Sequence, residues 1–167
     1  MKAIILPEHG GPELFRVEEA SKPELRPDHV LIKVAASSVN PVDFKIRQGL
    51  IPIGPDLPGI LHGDMAGVVE EVGEGVDGFS PGDEVYGCIG GFKGLPGVLA
   101  DYALADARLL AKKPSNLSMT EAAALPLVTI TAWNALMDRA KVREGQKVLV
   151  HAAAGGVGHV GLQLAKA

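Results

Sequence analysis

The stretch KVLVHAAAGGVGHVGLQLAKA (147–167) has the spacing with the clearest chemical meaning in the chain. A short apolar run leads into Ala153-x-Gly155-x-x-Gly158, and a helical pattern opens on the last glycines. Small residues at 153 and 155 let the backbone turn sharply and approach a pyrophosphate, while glycine at 158 lets helix and strand pack closely. The free N–H groups and positive dipole end of such a helix face the diphosphate. The spacing predicts that Ala153, Gly155, Gly156, Val157 and Gly158 cradle a dinucleotide. The alternative is a glycine-rich strand-to-helix turn that binds nothing, since the first position of the motif is Ala, not Gly. Thiol chemistry is nearly absent. Cys88 is the single cysteine, which excludes an internal disulfide and a cysteine-built zinc cluster and fits a cytoplasmic setting. It reads as a buried small hydrophobe, not a nucleophile.

The elements that must position this turn differ in style from everything before them. Residues 147–151 read as a buried strand and 156–167 as a helix, after a turn at Glu144-Gly145. Upstream, Ser118 and Glu121 form an S-x-x-E capping box ahead of a helix that Pro126 divides near Leu125. Before about residue 114 the pattern is short apolar runs separated by Gly, Pro and Asp. Residues 2–6, 30–39, 65–72, 83–86 and 99–104 read as strands of a barrel or sandwich. One short helix, 42–48, lies between the N-cap Asn40, Pro41 and a C-terminal Gly49. The expected fold is mainly β with an α/β tail. Its domains are 1–117 and an incomplete 118–167.

Composition narrows the functions. With 16 Lys plus Arg against 20 Asp plus Glu, the net charge of −4 gives no basic footprint for nucleic acid. Residues 122–137 and 148–165 are the longest uncharged stretches. The first falls short of the about 20 apolar residues of a membrane span and contains Pro126; the second holds two His and four Gly. No secretory signal is visible at MKAIILPEHGG, and no membrane partner is expected. Twenty-one Gly, 12 Pro and 4% aromatics imply many turns and short strands.

The order of motifs resembles the N-terminal half of the medium-chain dehydrogenase/reductase superfamily, in which a GroES-like β-barrel precedes a Rossmann domain. The similarity is strongest to its zinc-independent quinone oxidoreductase branch. It is carried by SSVNPVDFKIRQG (37–49), HGDMAGVVEEVGEGV (62–76), FSPGDEVYG (79–87), EAAALPLVTITAWNAL (121–136) and VLVHAAAGGVGHVGLQLAKA (148–167), and covers the whole chain. In zinc-dependent relatives the catalytic ligands fall at the positions of Asn40, Gly63 and Leu127, none of which can bind zinc here. The four-cysteine structural lobe is missing as well. His62, one position from a ligand site, reads as an ordinary polar contact.

The resemblance implies a zinc-free oxidoreductase using NADPH, or NADH, to transfer hydride to a small-molecule quinone or α,β-unsaturated carbonyl. It places Asn40 near the nicotinamide ribose and substrate, Asp43 and Asp64 in the same cleft, and Thr131 near the cofactor at the hinge. Each has a plain structural alternative: N-cap, helix first-turn or strand-end carboxylate, helix-interior threonine. Lys45 and Ile51 replace aromatics common in that branch, so the substrate is weakly constrained. The acidic or basic residue that reads the cofactor ribose lies ~20 residues past the motif, beyond Ala167. The expectation is therefore the N-terminal portion of a longer enzyme, inactive alone, with homo-oligomerisation of the intact form left open. The competing readings are a non-catalytic GroES-like assembly module and an alcohol dehydrogenase-like relative.

Overall fold

Strand pairing organises the larger part of the chain in the computed structural model, which describes every residue except Lys93. The molecule divides into two units, Met1–Ala124 and Leu125–Ala167. In the first, β1 (Lys2–Leu6) lies between β2 (Arg16–Glu19) and β4 (Gly59–Ile60) in a three-stranded antiparallel sheet. A second antiparallel sheet centres on β3 (His29–Ser37), which pairs with β5 (Asp64–Val72) on one side and β7 (Tyr102–Asp106) on the other. Beyond β5 come β6 (Glu84–Cys88) and β8 (Ala111–Lys112).

Alternation along these strands builds the core. Val30 and Ile32 of β3, Met65 and Val69 of β5, Val85 of β6 and Ala103 and Ala105 of β7 form one buried cluster. Burying each larger aliphatic side chain contributes about 1.5–3 kcal/mol. Ala66, on the opposite face of β5 from Met65, packs against Ala122 and Ala123 of α2 (Met119–Ala123). Alanine on both sides lets the helix settle close to the sheet. Ser118 caps it, its backbone N–H donating to Glu121 Oε2 at 2.8 Å and its Oγ accepting from the Glu121 N–H at 3.3 Å.

The short helix α1 (Pro41–Arg47) is fixed at both ends. Asn40 is its N-cap in extended geometry. At the other end Gly49, with φ of 72°, donates to the Ile46 carbonyl, and Leu50 to that of Lys45, both at 2.9 Å. This is a Schellman motif, whose left-handed residue favours glycine. Ile46 anchors the helix to Leu6 and Leu61.

Within the second unit, α3 (Pro126–Trp133) begins at the proline that separates it from α2, as the sequence predicts. A π-helical turn, Asn134–Arg139, continues it, and α4 (Gly156–Lys166) follows the glycine turn. Residues 147–151, expected as a strand, form none: 147–150 are irregular and His151 begins a turn. A strand is defined by the ladder it makes, and no described strand of this unit is available to pair with it. Elsewhere β3 stops at Ser37, short of 39. β7 begins at Tyr102, not 99, and Ala100 makes only a single bridge to Ala3. The two-residue β4 and β8, and the charged β2, are too short or too polar for apolar periodicity to reveal. Among the described residues, no helix is long and apolar enough to cross a membrane.

Candidate active site

The end of β3, the cap of α1 and the start of β5 converge on a buried polar cluster in the first unit. Asn40 is 7% exposed, Asp43 4%, His62 9% and Asp64 0%. Burying four such groups is costly unless they satisfy one another. The Asn40 backbone N–H donates to Asp43 Oδ2 at 2.6 Å, which closes the cap of α1. Asn40 Nδ2 donates to Asp64 Oδ2 at 2.9 Å and to Ser38 Oγ at 3.3 Å, and Ser38 Oγ donates to the same Asp64 oxygen at 3.1 Å. Asn40 is therefore both the helix cap and part of the polar network. The sequence-predicted Asn40, Asp43 and Asp64 come together here.

Burial dominates the electrostatics. It raises the Asp43 carboxyl above its ordinary range, against the opposing pull of the Asn40 N–H and of His62, while nearby Asp64 adds to the rise. It lowers His62 despite the attraction of Asp43 and a backbone hydrogen bond with Ser38, so the imidazole favours its neutral form. Its Nδ1 has no hydrogen-bond partner. The ring stands edge-on to Phe15, with centroids 6.4 Å apart. His62 has φ of 67°, in the left-handed region that non-glycine residues avoid. A Cβ on Gly91 would lie 2.5 Å from the His62 carbonyl, so this glycine allows the loop to seat against the His62 backbone. Burial and the neighbouring Asp64 push the Cys88 thiol up to about 12, which keeps it protonated and poorly nucleophilic.

Gly63 has no space for a side chain. A Cβ on Gly63 would stand 2.5 Å from the Gly90 carbonyl and 3.2 Å from Cys88 Sγ. No group of three or more His, Cys, Asp or Glu that could hold a metal occurs among the described residues.

The second unit holds the glycine turn. Gly155 is the extended N-cap of α4, its N–H bonded to the Ala152 carbonyl at 2.9 Å. The glycines differ in what they require. A Cβ on Gly158 would lie 2.2 Å from Ala152 O, so close packing of helix on turn demands glycine there. A Cβ on Gly155 meets only that oxygen, at 3.4 Å, and its backbone is extended. Neither packing nor conformation explains Gly155. Gly155, Gly156 and Val157 are exposed, and Ala153 and Gly158 half-buried. The turn borders a cleft of 400 Å³ with Val148, Leu149, Ala132 and Leu136. Thr131, also in this unit, is exposed and bonds back to the Leu127 carbonyl at 2.7 Å, the ordinary habit of a helical threonine.

Sequence reasoning missed Ser38, whose hydroxyl joins Asn40 to Asp64, and read His62 as an ordinary contact. The signal for Ser38 is faint: a small polar residue two positions before a helix cap.

Residues 26–115 match the alcohol dehydrogenase GroES-like domain family. The chain belongs to that family. Among curated relatives, tomato (Solanum lycopersicum) 2-methylene-furan-3-one reductase is 42% identical over 99% of this chain and 44% of its own length. Rat (Rattus norvegicus) quinone oxidoreductase is 40% identical over 100% of this chain and 50% of its own. The NADPH-dependent alkenal/one oxidoreductase of Arabidopsis thaliana chloroplasts is 41% identical over 99% and 44%. An alcohol dehydrogenase superfamily protein from Novosphingobium aromaticivorans superposes with a TM-score of 0.95 at 48% identity, covering 99% of this chain and 50% of that one. The GroES-like chain thus spans about half the length of the curated relatives it matches, and its architecture, a GroES-like domain followed by a truncated Rossmann start, is the one its sequence predicts.

Proposed function

We propose that this chain belongs to a zinc-free, NADPH-dependent oxidoreductase that transfers hydride to quinones or α,β-unsaturated carbonyls in the cytoplasm. The observation that carries the reading is the asymmetry of the glycine turn. Gly158 is required by packing, whereas Gly155 is not, and its open backbone at the N-terminus of α4 suits a pyrophosphate. The α4 amide groups of Gly156, Val157 and Gly158 would hold the diphosphate, and Ala153 keeps the turn small enough for close approach. Relatives named for quinone, alkenal/one and furanone reduction support the substrate class, and the NADPH-dependent relative supports that cofactor, with NADH the alternative.

When bound, NADPH would supply a hydride that, with one proton from water, would reduce an enone to the saturated carbonyl or a quinone to the hydroquinone. The conjugated acceptor spreads the incoming charge itself, so no Lewis acid is required. The donor set agrees, because Gly63 and Leu127 offer no ligand atoms and Gly63 has no room for a replacement. Asn40 and Asp43 line the reacting cleft in this reading. Thr131, whose hydroxyl is engaged by its own helix, serves the cofactor through its position only.

The test is substrate choice in the full-length protein with NADPH. Turnover of 1,4-benzoquinone and of an alkenal is expected to survive chelation, with metal analysis showing no stoichiometric zinc. Alcohol oxidation lost together with one equivalent of zinc would sink the reading.

A further inference from the structure

We infer that Asp64 and Ser38 are positioning residues that lock both amide protons of Asn40 inward, so that Asn40 meets a ligand only as a hydrogen-bond acceptor. This rests on the reading of the buried cluster as part of the oxidoreductase site. The Asn40 amide nitrogen has two protons, and both have acceptors: Asp64 Oδ2 at 2.9 Å and Ser38 Oγ at 3.3 Å. Ser38 spends its own proton on the same Asp64 oxygen at 3.1 Å, so it turns a lone pair toward Asn40. Rotating the amide by half a turn would bring its carbonyl oxygen against a carboxylate and a hydroxyl whose proton is already committed. The network thus fixes an orientation that an isolated asparagine leaves open.

The backbone is held too. The Ser38 N–H donates to the Asp64 carbonyl at 3.3 Å, and the Asn40 N–H to Asp43. Asp64 is wholly buried, so it acts on a ligand through the side chains it holds and not by contact. The chemical consequence is specific. Asn40 offers its carbonyl oxygen to a ligand O–H or N–H, such as a sugar hydroxyl or a carboxamide. It has no proton for an oxyanion developing on the substrate, so another donor must serve there.

The test uses the full-length protein and two readouts. In cofactor-free protein labelled with ¹⁵N, the two side-chain protons of Asn40 should exchange slowly, and at least tenfold faster in Ser38→Ala and Asp64→Asn. With NADPH and 1,4-benzoquinone, Asp64→Asn should lower kcat about tenfold and leave NADPH Kd within twofold. Adding Asn40→Ala to it should then cost nothing more, because the two residues act as one unit. Ser38→Thr, which keeps the hydroxyl, should restore both readouts. If Asp64→Asn fails to fold, Ser38→Ala carries the same cycle. Additive losses, or an Asn40 amide that exchanges freely in the parent protein, would overturn the inference. Full turnover by Asn40→Ala with its parent amide protons still protected would overturn instead the placement of this cluster in the active site.

Discussion

The two units solve the problem of burying polar and apolar groups in opposite ways. In Met1–Ala124, Asp64 is completely buried beside Asn40 and Ser38, and Val30, Ile32 and Met65 are wholly enclosed. In Leu125–Ala167, Leu149 is 81% exposed and Trp133 51%, and among the described residues of this unit Val160 alone of the larger aliphatic side chains is buried. The first unit has paired strands on which to hang a closed network. The second has helices and an unpaired apolar segment, and its glycine turn opens onto a cleft. Closed polar packing fixes side-chain orientation, whereas an open backbone leaves room for close approach.

Hydrogen exchange tests that contrast on the largest scale. Amides of β3 and β5 should exchange at least about a thousandfold more slowly than those of residues 147–155, where no ladder protects the backbone. Uniformly slow exchange through 147–155 in a monomer would erase the contrast. Truncation gives the next effect. Met65→Ala, at a fully buried site, should cost about 2–5 kcal/mol in denaturant unfolding. Leu149→Ala should stay within about 0.5 kcal/mol. Equal costs would mean that residues 148–150 pack as a core does.

Two further measurements sharpen the description of the closed cluster. The Cys88 thiol, pushed up to about 12, should resist iodoacetamide at pH 8 and react only on unfolding. Rapid alkylation of the native protein would contradict a thiol held protonated in the fold. The smallest effect is a pH slope. Because His62 is lowered in the folded state, its contribution to stability is present above its unfolded value of 6.5 and is lost as pH falls through its folded value. Asp43 is raised, so its contribution runs the other way: present below its unfolded value of 3.8 and lost as pH rises through its folded value. His62→Phe should therefore flatten the decline in stability just below pH 6.5. An unchanged slope there would assign the decline to other groups.

Much of this was legible in the residues. Asn40-Pro41 with Gly49 marks α1, Ser118 with Glu121 marks α2, and Pro126 marks the break before α3, because caps and proline act through local geometry. The alternating apolar runs located β3, β5 and β6 to within a few residues. Pairing is not local, which is why residues 147–151 look like a strand and are not one, and why β4 and β8 go unseen. The cluster was legible only in part. Asn40, Asp43 and Asp64 stand out by resemblance, but the role of Ser38 depends on β3 and β5 ending side by side. The packing role of Gly158 was legible in the motif; the folded turn adds that Ala152 O excludes a Cβ there and admits one at 155.

We propose that Gly155 is glycine for the sake of a bound diphosphate. Fluorescence titration of NADPH against the full-length protein and its Gly155→Val variant tests it directly, with circular dichroism to show that both are folded. The variant should keep its fold, since an added Cβ meets only Ala152 O at 3.4 Å, and lose at least about a hundredfold in affinity, or ~3 kcal/mol. Unchanged micromolar binding by folded Gly155→Val would contradict the claim and the oxidoreductase reading built on it.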